Sequence, residues 1–147
     1  MERNQLKRTI LQFIQSHTLG VVATASADGR PEAAMVEFGE TDDLEIIFDT
    51  FDASRKFQNL QNNDKVAFVI GGWESDITVQ YEGLATIPEG EDLDRCKEYF
   101  FKKNPHAKKW ETRPGIVFVK VAPTWIRYSD LGKDPWDVHE LDFPLAT

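Results

Sequence analysis

The chain has 147 residues, 41% of them hydrophobic and 29% charged, the proportions of an ordinary globular protein with a single domain over 1–147. Acidic residues outnumber basic ones by 25 to 17, for a formal net charge of −8, which argues against nucleic acid and anionic membranes as partners. The single cysteine, Cys96, excludes an internal disulfide framework and a cysteine-only metal site, and no apolar run reaches membrane-spanning length.

Met1 to Gln5 carries no cleavable apolar segment, so a cytoplasmic location is expected. Leu6, Ile10, Phe13 and Ile14 share one face at helical spacing, predicting an amphipathic helix over 4–16. An apolar strand follows at 20–24, then a turn at Asp28-Gly29-Arg30-Pro31, since Asp-Gly tolerates φ > 0. Strands are expected at 33–38 and 44–50, joined by Thr41-Asp42-Asp43, and this makes an antiparallel meander. Ser54 opens a short helix with Phe57 and Leu60 inward, stopped by Asn62-Asn63-Asp64. Strands at 66–70 and 76–87 come next, with Gly83 marking a bulge or bend in the second. Pro88 to Asp92 starts a helix whose apolar face is Leu93, Cys96 and Phe100, which places Cys96 in the core. Residues 115–121 and 125–128 read as two strands separated by Ala122-Pro123, and the tail around His139 and Leu141 as a short edge strand. Strands dominate without β–α–β alternation, so the fold class is mainly β with peripheral helices, an antiparallel barrel.

Few constellations in this pattern carry chemistry. His17, His106 and His139 are far apart and form no i, i+4 ligand pair, so no metal site is expected. Cys96 lies mid-helix with no predicted activator, and neither a dinucleotide fingerprint nor a P-loop is present. What remains is the run Phe48-Asp49-Thr50, Ser54-Arg55-Lys56. A strand ends in a hydroxyl, and a helix opens with a second hydroxyl and two adjacent cations. Free backbone N–H groups at a helix start, with a hydroxyl and charged donors beside them, are what a phosphate monoester needs. The same residues also fit a plain capping signal, with Ser54 as N-cap and two solvated cations.

The order Gly29-Arg30-Pro31 turn, strand, Phe48-Asp49-Thr50, Ser54-Arg55-Lys56, helix, Asn63 to Phe68, then a strand reaching Glu82-Gly83 resembles the pyridoxamine 5′-phosphate oxidase-like FMN-binding split barrels over residues 5–130. The ending Trp125-Ile126-Arg127-Tyr128-Ser129 resembles the general-stress-protein branch of that family. The resemblance implies an antiparallel Greek-key split β-barrel of six or seven strands. It further implies a homodimer with FMN in clefts at the subunit interface. Thr50 then meets the cofactor at the strand end, with Asp49 beside it. Arg55 and Lys56 hold the FMN phosphate, and Ser54 caps the helix next to them. Thr78 sits where many members carry a flavin-facing Gln, and Gln80 follows on the same face. Arg127 either reaches the cofactor across the dimer or pairs with one of the many acids, and pairing is the expectation.

The family's oxidases also carry basic residues on the second strand, where this chain has Ala33-Ala34-Met35-Val36-Glu37. Their C-terminal Arg-x-His-x-Arg is replaced by Tyr128 to Asp134, without the motif. A substrate phosphate therefore lacks its grip, and a typical pyridoxamine phosphate oxidase is not expected. The expectation is a flavin-dependent oxidoreductase acting on an unidentified small molecule, with no catalytic side chain assigned. The alternatives are a flavin-storing or flavin-sensing stress protein without turnover, and the same barrel holding F420 or haem. The late aromatics Trp110, Phe118, Trp125, Tyr128 and Trp136 add to the expectation of a dimer, since monomers rarely expose large apolar patches.

Overall fold

Helix α1, Arg3–Gln15, forms where the spacing of Leu6, Ile10 and Ile14 demands it, and those three side chains are buried against the sheet. In the computed structural model, which describes residues 1–145, the Glu2 carboxylate caps this helix by accepting from the N–H groups of Asn4 and Gln5. Strands β1 (Leu19–Ala25) and β2 (Pro31–Glu37) then pair as a hairpin around Gly29, whose φ of 85° needs a residue without Cβ strain. After the two-residue strand β3 (Gly39–Glu40) come β4 (Ile46–Phe51), helix α2 (Arg55–Asn62), β5 (Lys65–Gly71) and β6 (Ile77–Thr86). Helix α3 (Gly90–Lys103), a 3₁₀ turn at Pro105–Trp110, β7 (Ile116–Asp130) and β8 (Asp137–Asp142) complete the chain.

All pairings are antiparallel, and the order is β2-β1-β5-β6-β7-β4-β3 with β8 beside the second half of β7. The sheet curls into a half-barrel carrying a few helices, the mainly β split-barrel class expected. Strand alternation assigns Val22, Phe68, Ile70, Val79, Tyr81 and Ile126 to the concave core together with α1. A second core lies behind β4 and β7, where Ile47 and Phe118 meet Cys96 and Phe100 of α3 and Ala107 of the 3₁₀ turn. Cys96 is fully buried there, as its helical position predicts.

The segments 115–121 and 125–128 are one strand, β7, and not two, which corrects the sequence expectation. Pro123 lacks an N–H, yet the ladder continues because the register shifts between Glu82 and Gly83: Glu82 pairs with Trp125 and Gly83 with Pro123, which leaves Thr124 as the extra residue. Gly83 is required at this bulge, since a Cβ there would stand 2.4 Å from the Ala122 carbonyl oxygen. Eight strands result among the described residues, where the resemblance implies six or seven; the short β3 has no pattern long enough to read, and β8 is the edge strand expected of the tail. Of the late aromatics, Phe118 and Tyr128 are core residues, whereas Trp136 is 68% exposed. Among the described residues no helix is long and apolar enough to cross a membrane.

Candidate functional site

The barrel is open between two strand edges. Among the described residues β2 pairs only with β1, and β4 pairs with β3 only at Ile46 and Ile47, so one edge of Phe48–Phe51 has no strand partner there. Both edges line one cleft of 470 Å³, walled by Met35, Val36 and Glu37 on β2 and by Asp49, Thr50 and Phe51 on β4. Lys56 lines it as well, and His106, Trp110 and Arg113 come in from the 3₁₀ turn and the loop after it.

The hydroxyl of Thr50, 7% exposed, lies 2.9 Å from the Ser54 hydroxyl and 3.3 Å from Lys56 Nζ, which donates to it. Ser54 is also the N-cap of α2, its Oγ accepting from Phe57 N–H at 3.2 Å. Capping and anion binding are therefore not alternatives here: Ser54 does the first and stands within the group that offers the second. The opening turn of α2 adds N–H groups without intrahelical acceptors and the positive end of the helix dipole. Two hydroxyls, an ammonium and these amides make a donor set that suits a phosphate monoester.

Arg55 turns away from Lys56. Its Nε is 3.5 Å from Glu32 Oε2, and its side chain is 75% exposed. Glu32 is held in turn by Asn59, whose Nδ2 donates to it at 3.2 Å and to Thr24 Oγ1 at 3.0 Å. The two adjacent cations thus serve different sides of the helix start. Asp49, beside Thr50 on β4, is half-buried, and burial pushes its carboxyl above the ordinary carboxylate range. The charge of Glu37 raises it further, and Lys56 opposes the shift. Glu37 itself is bound by His106, whose Nε2 lies 2.9 and 2.8 Å from its two oxygens.

Thr78 and Gln80 are not brought to this cluster. They lie on the convex face of β6, opposite the buried Val79 and Tyr81, in register with Ser129 and Arg127. Across that face Met35, Val21, Val69, Gln80, Arg127 and Glu140 form one cross-strand row. Arg127 pairs with Glu140, its Nε at 2.9 Å from Oε1, which matches the expected pairing with an acid. Met35, 55% exposed, links this row to the cleft, because it also lines the cleft. His17 lies against the Phe13 carbonyl and His139 against Asp137, far from the cleft residues in their contacts.

The cleft residues Glu37, His106, Trp110 and Arg113 were not assigned to a site by the sequence. No spacing relates β2 to a turn some 70 residues later, and only the packing of the 3₁₀ turn against Glu37 unites them, a separation of 69 positions for the His106 contact.

A family model described as pyridoxamine 5′-phosphate oxidase matches residues 6–130. Three solved structures share the fold. A heme binding protein from Mycobacterium smegmatis is 20% identical with a TM-score of 0.79, over 95% of this chain and 59% of that one. General Stress Protein 26 from Bacillus anthracis str. Sterne is 27% identical with a TM-score of 0.74, over 95% of this chain and 99% of that one. A pyridoxamine 5′-phosphate oxidase-related, FMN binding protein from Nostoc punctiforme PCC 73102 is 14% identical with a TM-score of 0.65, over 97% and 96%. The chain thus spans 59% of the length of the M. smegmatis protein and nearly all of the other two. No curated protein matches it.

Proposed function

The chain belongs to the pyridoxamine 5′-phosphate oxidase family, on the side of its general stress proteins, and from that premise we propose that it binds FMN in the cleft between β2 and β4 and uses it for redox chemistry on a small molecule. One observation carries the proposal: Thr50 and Lys56, which line that cleft, converge with Ser54 at the start of α2. In this reading these three hold the phosphate, and Arg55 joins them only by leaving Glu32. The free edge of β2, at Met35 to Glu37, offers unpaired backbone groups to the polar rim of a flat ring. When bound, the flavin supplies hydride or electron transfer, and the protein supplies position and electrostatics.

The working unit in this proposal is a homodimer. The convex face presents the exposed side chains of Leu19, Met35, Val69 and Val138, with Thr78 and Gln80 among them. A second copy seated on this face covers apolar surface and takes Thr78 and Gln80 toward a neighbouring cleft, the role that the family pattern assigns to the Thr78 position. Haem, bound by one relative by name, is less well served, since the histidine lining the cleft, His106, already spends its Nε2 on Glu37.

Titration of the purified protein with FMN, followed by quenching of flavin fluorescence, tests the reading. Saturable binding that weakens at least about tenfold in Lys56→Ala is expected, the loss of one charge-assisted contact. Equal binding by the variant contradicts the phosphate assignment.

A further inference from the structure

The charges of the cleft are unevenly committed. Lys56 stands with Thr50 and Ser54, and Arg55 is engaged by Glu32 outside it. In the same wall Arg113 lies over the face of Trp110, its guanidinium carbon 3.9 Å from the ring centroid. Glu37 and Asp49 line the same cleft from two different strands; Glu37 is held by His106, and the Asp49 carboxyl accepts from its own backbone N–H, with no side-chain partner among the described residues. A phosphate monoester bound at Lys56 brings close to two further negative charges and consumes that ammonium, which leaves Arg113 as the cation in the wall to set against Glu37, Asp49 and the phosphate. With the whole chain at −8, a second anion then enters against the local field and the global one alike.

We propose that the molecule received beside the cofactor is an amine or a related organic cation, not a phosphate or carboxylate, and that Glu37 and Asp49 set this preference. The proposal rests on the FMN reading of the same cleft. Asp49 is the stronger determinant, because burial already makes its ionised form costly and a cation or N–H donor relieves that cost directly. Glu37 contributes through a carboxylate that His106 holds in one orientation.

Fluorine NMR line broadening with para-fluorobenzylamine and para-fluorobenzoate, probes matched in size and opposite in charge, tests it on protein reconstituted with FMN. The amine is expected to bind about tenfold more tightly than the benzoate, the scale of one well-placed charge contact. That preference is expected to fall at least about threefold in Glu37→Gln and further in Asp49→Asn. It stays in Glu74→Gln, which removes the same charge from an exposed loop. Equal or tighter binding of the benzoate overturns the proposal, as does binding of neither probe or an equal fall in Glu74→Gln. FMN uptake is read separately from flavin absorbance after gel filtration. A protein that takes up no flavin fails the functional reading, while the probes still report the charge preference of the flavin-free cleft.

Discussion

At the scale of single residues, the start of α2 separates two cations that stand side by side in sequence. Lys56 is turned toward Thr50 and the cleft, Arg55 toward Glu32. FMN binding is therefore expected to suffer more from Lys56→Ala than from Arg55→Ala, by about tenfold on the scale of one charge contact. Glu32→Gln, which frees Arg55 to turn toward the phosphate, is expected to tighten binding, as isothermal titration of the three variants would show. Asp49 makes a second residue-scale prediction. Its carboxyl titrates above the unfolded value of 3.8 in the native state, so the folded protein holds that proton more tightly than the unfolded chain. The resulting stability is complete below that pH and is lost as the pH rises through the native value. Asp49→Asn keeps the shape and removes the charge. It is expected to raise the urea midpoint at neutral pH, with the gain vanishing near pH 4. A variant less stable than the parent at pH 7 would show that the carboxylate is compensated.

At the scale of elements, most of the frame is legible in the sequence because periodicity records which face is buried. α1, the β1–β2 hairpin, β4, α2, β5 and the start of β6 fall where apolar spacing and the Asp-Gly and Ser54 signals put them. β7 does not, because a proline at 123 argues locally for a break and only the partner strand, through Gly83, supplies the bulge that absorbs it. The site was half legible for the same reason. Thr50, Ser54 and Lys56 are close in sequence, whereas Glu37 and His106 meet only through the tertiary fold. Elsewhere a buried ion pair ties three elements together. Lys103 of α3 donates to Glu40 of β3 at 2.7 Å and to the Ile14 carbonyl at the end of α1 at 2.8 Å, above the Phe38 ring. Burial holds the Lys103 ammonium below its ordinary range and the Glu40 carboxyl above its own. Lys103→Met is expected to cost about 3–5 kcal/mol in urea unfolding by leaving Glu40 buried without a partner, and adding Glu40→Leu is expected to recover part of that loss.

At the scale of the whole molecule, the half-barrel presents one face to its own core and α1, and another whose exposed Leu19, Met35, Val69 and Val138 call for cover. Sedimentation at micromolar concentration is expected to show a dimer, and Val69→Lys a monomer with weakened FMN binding, since Gln80 is its cross-strand neighbour. A wild-type monomer that binds FMN fully would remove Thr78 and Gln80 from the cofactor site. The central claim is that the cleft between β2 and β4 holds FMN through Thr50, Ser54 and Lys56. It is tested most directly by the absorption spectrum of the protein purified from its native host, with the released chromophore identified by mass. The account predicts a flavin spectrum, FMN as the released species, and a lower flavin content in Lys56→Ala. A Soret band, a deazaflavin, or a colourless protein that takes up no added FMN would contradict it.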